Sequence, residues 1–142
     1  MLRGVGRRLR VAGYDTAIAE TGSADAELLA LVAAEARILL TCDRALGAQH
    51  PGALVLEGER LDEAARALRR RLGIDWLRAP FSRCLVDNAE LRPAGAQALA
   101  RVPGSARRDG ETVTVCPECA RVYWSGSHVR RMRARLERWQ AL

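Results

Sequence analysis

Two cysteines separated by two residues, Cys116-Pro117-Glu118-Cys119, constrain this chain more than any other feature. Thiolates at that spacing can face one ion from a tight turn, which is half of a structural zinc ribbon. The other half needs a second pair upstream. Cys84 stands there, but its C-x-x partner is Asp87. A carboxylate oxygen is an acceptable though less common zinc ligand, so Cys84, Asp87, Cys116 and Cys119 form the expected Zn²⁺ set. His128, downstream of the pair, is a rival for the fourth position, and so is a water. Cys42 has no thiol partner in the sequence and is expected to pack as a small buried apolar residue. His50, next to Pro51, reads as a loop histidine.

A chain of 142 residues can hold a compact domain plus a small metal-stapled module. Aromatics make up only 4%, so the apolar bulk is Ala, Leu and Val, which favours helices over β-rich folds. All 23 basic residues are Arg, and the formal charge of +6 points to an anionic partner, nucleic acid first. Solvated Arg faces are the plainer alternative. No run approaches the ~18 apolar residues of a membrane span, and no signal-peptide core follows the N-terminus. Three of the four cysteines fall in a metal pattern, which suits a reducing compartment, so a cytoplasmic protein is expected.

Leu2, Val5, Leu9 and Ala12 repeat at helical spacing and Gly13 ends that helix. Residues 14–19 read as a short strand. Ser23 or Asp25 can cap a helix running to about Ala36, with Leu28, Leu31, Val32 and Ala36 as its buried stripe. The run 37–41 reads as a strand buried on both faces, 53–56 as another, and 61–72 as an Arg-rich helix stopped by Gly73. Alternating helix and strand predicts an α/β domain with a parallel sheet over residues 1–78. From 79 the pattern changes to Pro and Gly breaks, short β-type runs around the Cys pair and a basic helix over 129–142.

Sites in open α/β sheets form at the carboxyl ends of strands. Asp43 follows Leu40-Thr41 at such a point, and Asp25 starts the preceding helix. Carboxylates converging there would hold Mg²⁺ or Mn²⁺, whereas the plainer roles are an N-cap for Asp25 and a turn for Asp43. Tyr123-Trp124 can stack on bases or pack around the metal, and Arg130, Arg131, Arg133, Arg135 and Arg138 can contact phosphates or face solvent.

In this order the motifs resemble the Mut7-C RNase domain family, a PIN-like nuclease domain followed by a zinc ribbon. The resemblance is carried by Met1-Leu2 with Gly13-Tyr14-Asp15-Thr16, by Asp25-Ala26-Glu27-Leu28-Leu29 and by Leu39-Leu40-Thr41-Cys42-Asp43. It continues through Pro80-Phe81-Ser82-Arg83-Cys84, Leu91-Arg92-Pro93, and the stretch from Cys116 to His128. It implies a PIN-like three-layer α/β domain with a mostly parallel sheet, then a small zinc-ribbon module over 79–142. It also implies metal-dependent RNA cleavage, with Asp25 and Asp43 as metal-binding catalytic carboxylates, Glu27 as a weaker candidate and Arg44 steadying a phosphate. Mg²⁺ or Mn²⁺ would be the catalytic ion, Zn²⁺ the structural one and RNA the partner. Three departures stand out. The family's first strand, with an Asp just before Met-Leu, has no counterpart, so the acidic site is expected to be one carboxylate short. Arg3 replaces a glycine and Asp87 a ribbon cysteine. The rival expectations are a non-catalytic zinc-ribbon nucleic-acid-binding module and a protein-interaction module that zinc merely staples.

Overall fold

The computed structural model describes residues 2–57, 60–104 and 112–142. Helix α1 (Leu2–Val11) buries Val5, Leu9 and Val11. It ends as its sequence predicts, in a left-handed Gly13 (φ 96°), with Gly13 N donating to Arg10 O (2.9 Å) and Tyr14 N to Leu9 O (2.9 Å). Glycine is required there twice over, because a Cβ would stand 2.7 Å from both Ala79 Cβ and Ala79 O. Ala79 N and Phe81 N in turn donate to Ala12 O and Val11 O, fastening the 79–81 junction to the end of α1.

Helix α2 (Asp25–Ala34), strand β1 (Leu40–Thr41), helix α3 (Arg44–Ala48) and strand β2 (Leu54–Val55) follow. β1 and β2 pair in parallel, Leu40 with Leu54 and Thr41 with Val55. The sheet expected to be mostly parallel is thus a two-stranded pair among the described residues; the second sheet is antiparallel. Residues 14–19 join no ladder, which corrects the strand expected there. They are held by side chains instead, with Arg10 Nε donating to Thr16 O (2.8 Å) and Asn88 accepting from Thr16 N (3.0 Å). The run before β1 is not buried on both faces either. Leu39 is 5% exposed but Ile38 is 57% exposed, because β1 has a neighbour on one side only among the described residues. In α2, Val32 is buried with Leu28 against it, but Leu31 faces outward and Ala36 has left the helix in a left-handed conformation (φ 49°). Neither Ser23 nor Asp25 caps α2: the cap position is Ala24, and Ser23 Oγ donates back to Glu20 O.

Helix α4 (Leu61–Leu72) ends at Gly73 in the left-handed conformation (φ 64°), as predicted. Strand β3 (Arg92–Pro93), helix α5 (Ala96–Ala100), strands β4 (Thr114–Val115) and β5 (Val122–Tyr123), and helix α6 (Ser127–Gln140) complete the described elements. Strands β3, β4 and β5 form an antiparallel sheet in that order. The main core joins both ends of the chain: Val5, Leu9, Leu54, Leu68 and Trp76 meet Leu136 and Trp139 of α6. Trp76 and Trp139 rings lie 4.9 Å apart at 60°. Trp139 Nε1 donates to Asp62 (2.7 Å), so the one polar atom of a fully buried indole is satisfied. No described helix is long and apolar enough to cross a membrane.

Candidate metal centre

The four residues expected as ligands converge. One ligand atom each from Cys84, Asp87, Cys116 and Cys119 lies within 4.8 Å of the others, and this is the one such group of three or more His, Cys, Asp or Glu side chains among the described residues. They come from two tight turns, 84–88 and 116–120, that share a hydrogen-bond pattern. In the first, Cys84 N donates to Ala89 O (2.8 Å) and Asn88 N to Cys84 O (3.0 Å). In the second, Cys116 N donates to Arg121 O (2.9 Å) and Ala120 N to Cys116 O (3.0 Å). Each turn also aims an amide at its leading sulfur: Val86 N at Cys84 Sγ (3.4 Å) and Cys119 N at Cys116 Sγ (3.5 Å). Each closes with a left-handed residue, Asn88 (φ 74°) and Ala120 (φ 56°). Aligned in this way, Asp87 occupies the position of Cys119, which favours it over His128 as the fourth ligand. His128 instead lines a groove with Arg8 and Arg131.

Antiparallel arms hold both turns in place. Arg83 bridges Glu90 around the first, reinforced by an Arg83–Glu90 ion pair at 3.1 Å. β4 and β5 flank the second, pairing Val115 with Val122. Beneath them Cys84, Cys116 and Tyr123 form a small buried core of their own. Tyr123 Oη lies 3.2 Å from Cys84 Sγ and accepts from Leu85 N (3.2 Å). Its burial settles that ring as packing around the centre, which removes it as a base-stacking platform.

The donor set suits a tetrahedral ion. Cys84 Sγ and Cys119 Sγ are 3.7 Å apart, against about 3.8 Å for two sulfurs on one tetrahedral ion with ~2.3 Å bonds. Cys116 Sγ lies 3.3 and 3.2 Å from the two Asp87 oxygens, near the roughly 3.5 Å edge of a mixed sulfur–oxygen site. Protonation favours the same reading. Burial works to raise the Asp87 pKa, but the bond from Cys119, the Ala89 amide and the bonds from Cys116 and Cys84 outweigh it and pull Asp87 down to about 2. Burial pushes Cys116 up to about 12, and Asp87 raises Cys119. Asp87 is therefore charged, and a cation that binds Cys116 and Cys119 must displace their protons.

Two side chains that the sequence did not single out support the first turn. Arg10, 6% exposed, donates from Nη1 to Leu85 O (3.2 Å) and Val86 O (2.6 Å) while its Nε holds Thr16 O. Burial lowers its pKa, and Asp87 and Cys84 act against that shift, so this cation faces an anionic turn. Nothing in the sequence distinguishes it from the other arginines. Asn88 joins the turn to residues 15–16: Nδ2 donates to Asp15 (2.6 Å), which also accepts from Arg37 (3.2 Å). Those two bonds hold Asp15 below its ordinary range. A signal for Asn88 exists, since Asn is the residue other than Gly that most readily takes the left-handed conformation after the second ligand.

The other candidates stand apart from this centre. Asp43 lies just beyond the carboxyl end of β1 and caps α3, its Oδ1 accepting from Ala45 N (2.7 Å) and Leu46 N (3.2 Å). Asp25 and Glu27 are in the exposed first turn of α2. None of these three belongs to a group of three or more clustered ligand side chains among the described residues. Arg44 pairs with Glu57 at 3.0 Å. Cys42 is exposed, which corrects the buried role expected for it: it follows Thr41 at a strand end that solvent reaches.

A family model described as Mut7-C RNAse domain matches residues 1–136. No curated protein and no solved structure matches the chain.

Proposed function

Because the chain belongs to the Mut7-C RNAse domain family, we propose that it is a metal-dependent ribonuclease whose two turns at Cys84–Asp87 and Cys116–Cys119 bind a structural Zn²⁺. The family match across nearly the whole chain carries this reading, and the position of Asp43 beyond a parallel strand supports it. Asp25 and Asp43 would hold Mg²⁺ or Mn²⁺, which supplies an activated water for attack on a phosphodiester when bound. The ribbon and the basic face of α6 would hold the RNA. The PIN-like part would span 1–78 and the ribbon with its helix 79–142.

A second reading is favoured by one observation: Asp25, Glu27 and Asp43 form no clustered ligand group of three among the described residues. It is a non-catalytic zinc-ribbon nucleic-acid-binding module on a degenerate PIN-like fold.

Asp43→Asn separates the two. Asn caps a helix as well as Asp does, so α3 keeps its N-cap while the charge is lost. The expected outcome is loss of Mn²⁺-dependent RNA cleavage with RNA binding retained, measured on one labelled transcript. Cleavage at the wild-type rate in the variant overturns the catalytic assignment, and no cleavage by the wild-type protein favours the binding module.

A further inference from the structure

Helices α1 and α6 leave between them a groove of about 200 Å³. Its floor includes Val11 and Leu136, both buried, and its walls carry Arg8, Arg131, Arg135 and His128. No carboxylate among the described residues lines it. Many arginines of this protein have partners: Arg37, Arg44 and Arg83 pair with acids, Arg10, Arg101 and Arg130 bond carbonyls, and Arg133 lies over Phe81. The three groove arginines make no ion pair among the described residues. Arg8 reaches only its own helix, at Gly4 O (3.5 Å), and Arg135 only the edge of cation–π range over Trp139 (6.0 Å).

Folding therefore brings like charges together from opposite ends of the chain without a counter-ion, which costs free energy that an anion would recover. The strain is felt at Arg8: burial, then Arg135 and Arg7, lower its pKa. The groove's three guanidinium groups, drawn from two helices over a partly apolar floor, fit a chain of phosphates joined by sugars. Guanidinium forks match phosphate oxygens in pairs.

We propose that the groove between α1 and α6 is a phosphodiester track in which Arg8, Arg131 and Arg135 hold successive phosphates of a single RNA strand. The choice of RNA rests on the ribonuclease reading above; the anion chemistry does not.

The test is the anisotropy of a short fluorescein-labelled oligouridylate titrated with the full-length, metal-loaded protein across salt concentrations. Arg131→Gln with Arg135→Gln is expected to weaken binding about tenfold or more. It should also flatten the slope of log affinity against log salt by about 1.4, since each phosphate contact on a single strand contributes roughly 0.7. Arg66→Gln with Arg70→Gln, two exposed positions of α4, removes the same charge elsewhere and is expected to change affinity less than about twofold. Equal losses in the two pairs overturn the groove, because net charge alone then explains binding. Should the double variant fail to fold, the exposed Arg131→Gln alone is expected to flatten the slope by about 0.7, and an unchanged slope overturns the proposal. Inorganic phosphate or oligoglutamate competing as well as unlabelled oligouridylate also overturns it, in favour of a free anion or an acidic protein segment. Cleavage assayed separately keeps the two readings apart. Groove-dependent binding without Mn²⁺-dependent cleavage sinks only the nuclease reading. Cleavage with binding that ignores the groove variants sinks only the groove.

Discussion

The two turns of the candidate metal centre share a pattern of carbonyl hydrogen bonds and differ in nearly everything attached to it. The turn at 116–120 offers two thiols, ends in Ala120 and is contacted from outside by Arg101, which donates to Ala120 O at 2.6 Å. The turn at 84–88 offers a thiol and a carboxylate, ends in Asn88 and is gripped from α1 by Arg10 and from residues 15–16 through Asn88. The shared amide-to-carbonyl bonds show that the turn geometry does not depend on the second ligand being sulfur. The second ligand is where the site can vary, and Asp87 keeps the anion while giving up the softer donor.

Removing a ligand the turns have in common should have the largest effect. Cys116→Ser is expected to abolish metal binding, from about one zinc per chain to near none by elemental analysis. Amide exchange across 114–123 should rise to that of an unfolded segment. Full metal content in that variant would break the equivalence of the turns. Making the turns alike should have a smaller effect: Asp87→Cys is expected to raise zinc affinity by about tenfold, roughly 1.4 kcal/mol, in a chelator competition. An affinity that falls would mean the first turn is built around oxygen. The smallest effect concerns the closing residues. Ala120 pays a steric cost in the left-handed region that Asn88 largely escapes. Ala120→Gly is expected to stabilise the metal-loaded protein by about 0.5 to 1 kcal/mol, read as a higher thermal midpoint, and Asn88→Gly to lower it through two lost side-chain bonds.

Much of this centre is legible from spacing, because a turn presenting two ligands is a local device. Cys116 and Cys119 announce it, and Asp87 is found by counting from Cys84. The helices over 61–72 and near the C-terminus are legible for a similar reason: apolar residues at helical spacing and, for α4, a terminal Gly73. What fails is whatever depends on a distant neighbour. Residues 14–19 look like a strand, yet a strand is defined by its partner, and here arginine and asparagine side chains take that place. Ile38 belongs to an apolar run and Cys42 follows it, but solvent reaches both because β1 has one flank open among the described residues. Arg10 is chemically the same as every other arginine, and only the fold puts its guanidinium against two carbonyls of a metal turn.

That grip by Arg10 has a thermodynamic corollary. The contacts to Leu85 O and Val86 O span 75 and 76 residues, so the helix at one end and the metal turn are two ligands of the same closed loop. By whatever factor an ion bound at that turn would favour the docking of α1, a docked α1 would tighten the ion by the same factor. Metal affinity at this site would then be a property of the helix as well as of the thiols, and a zinc titration would read out, at a distance, how firmly α1 is seated.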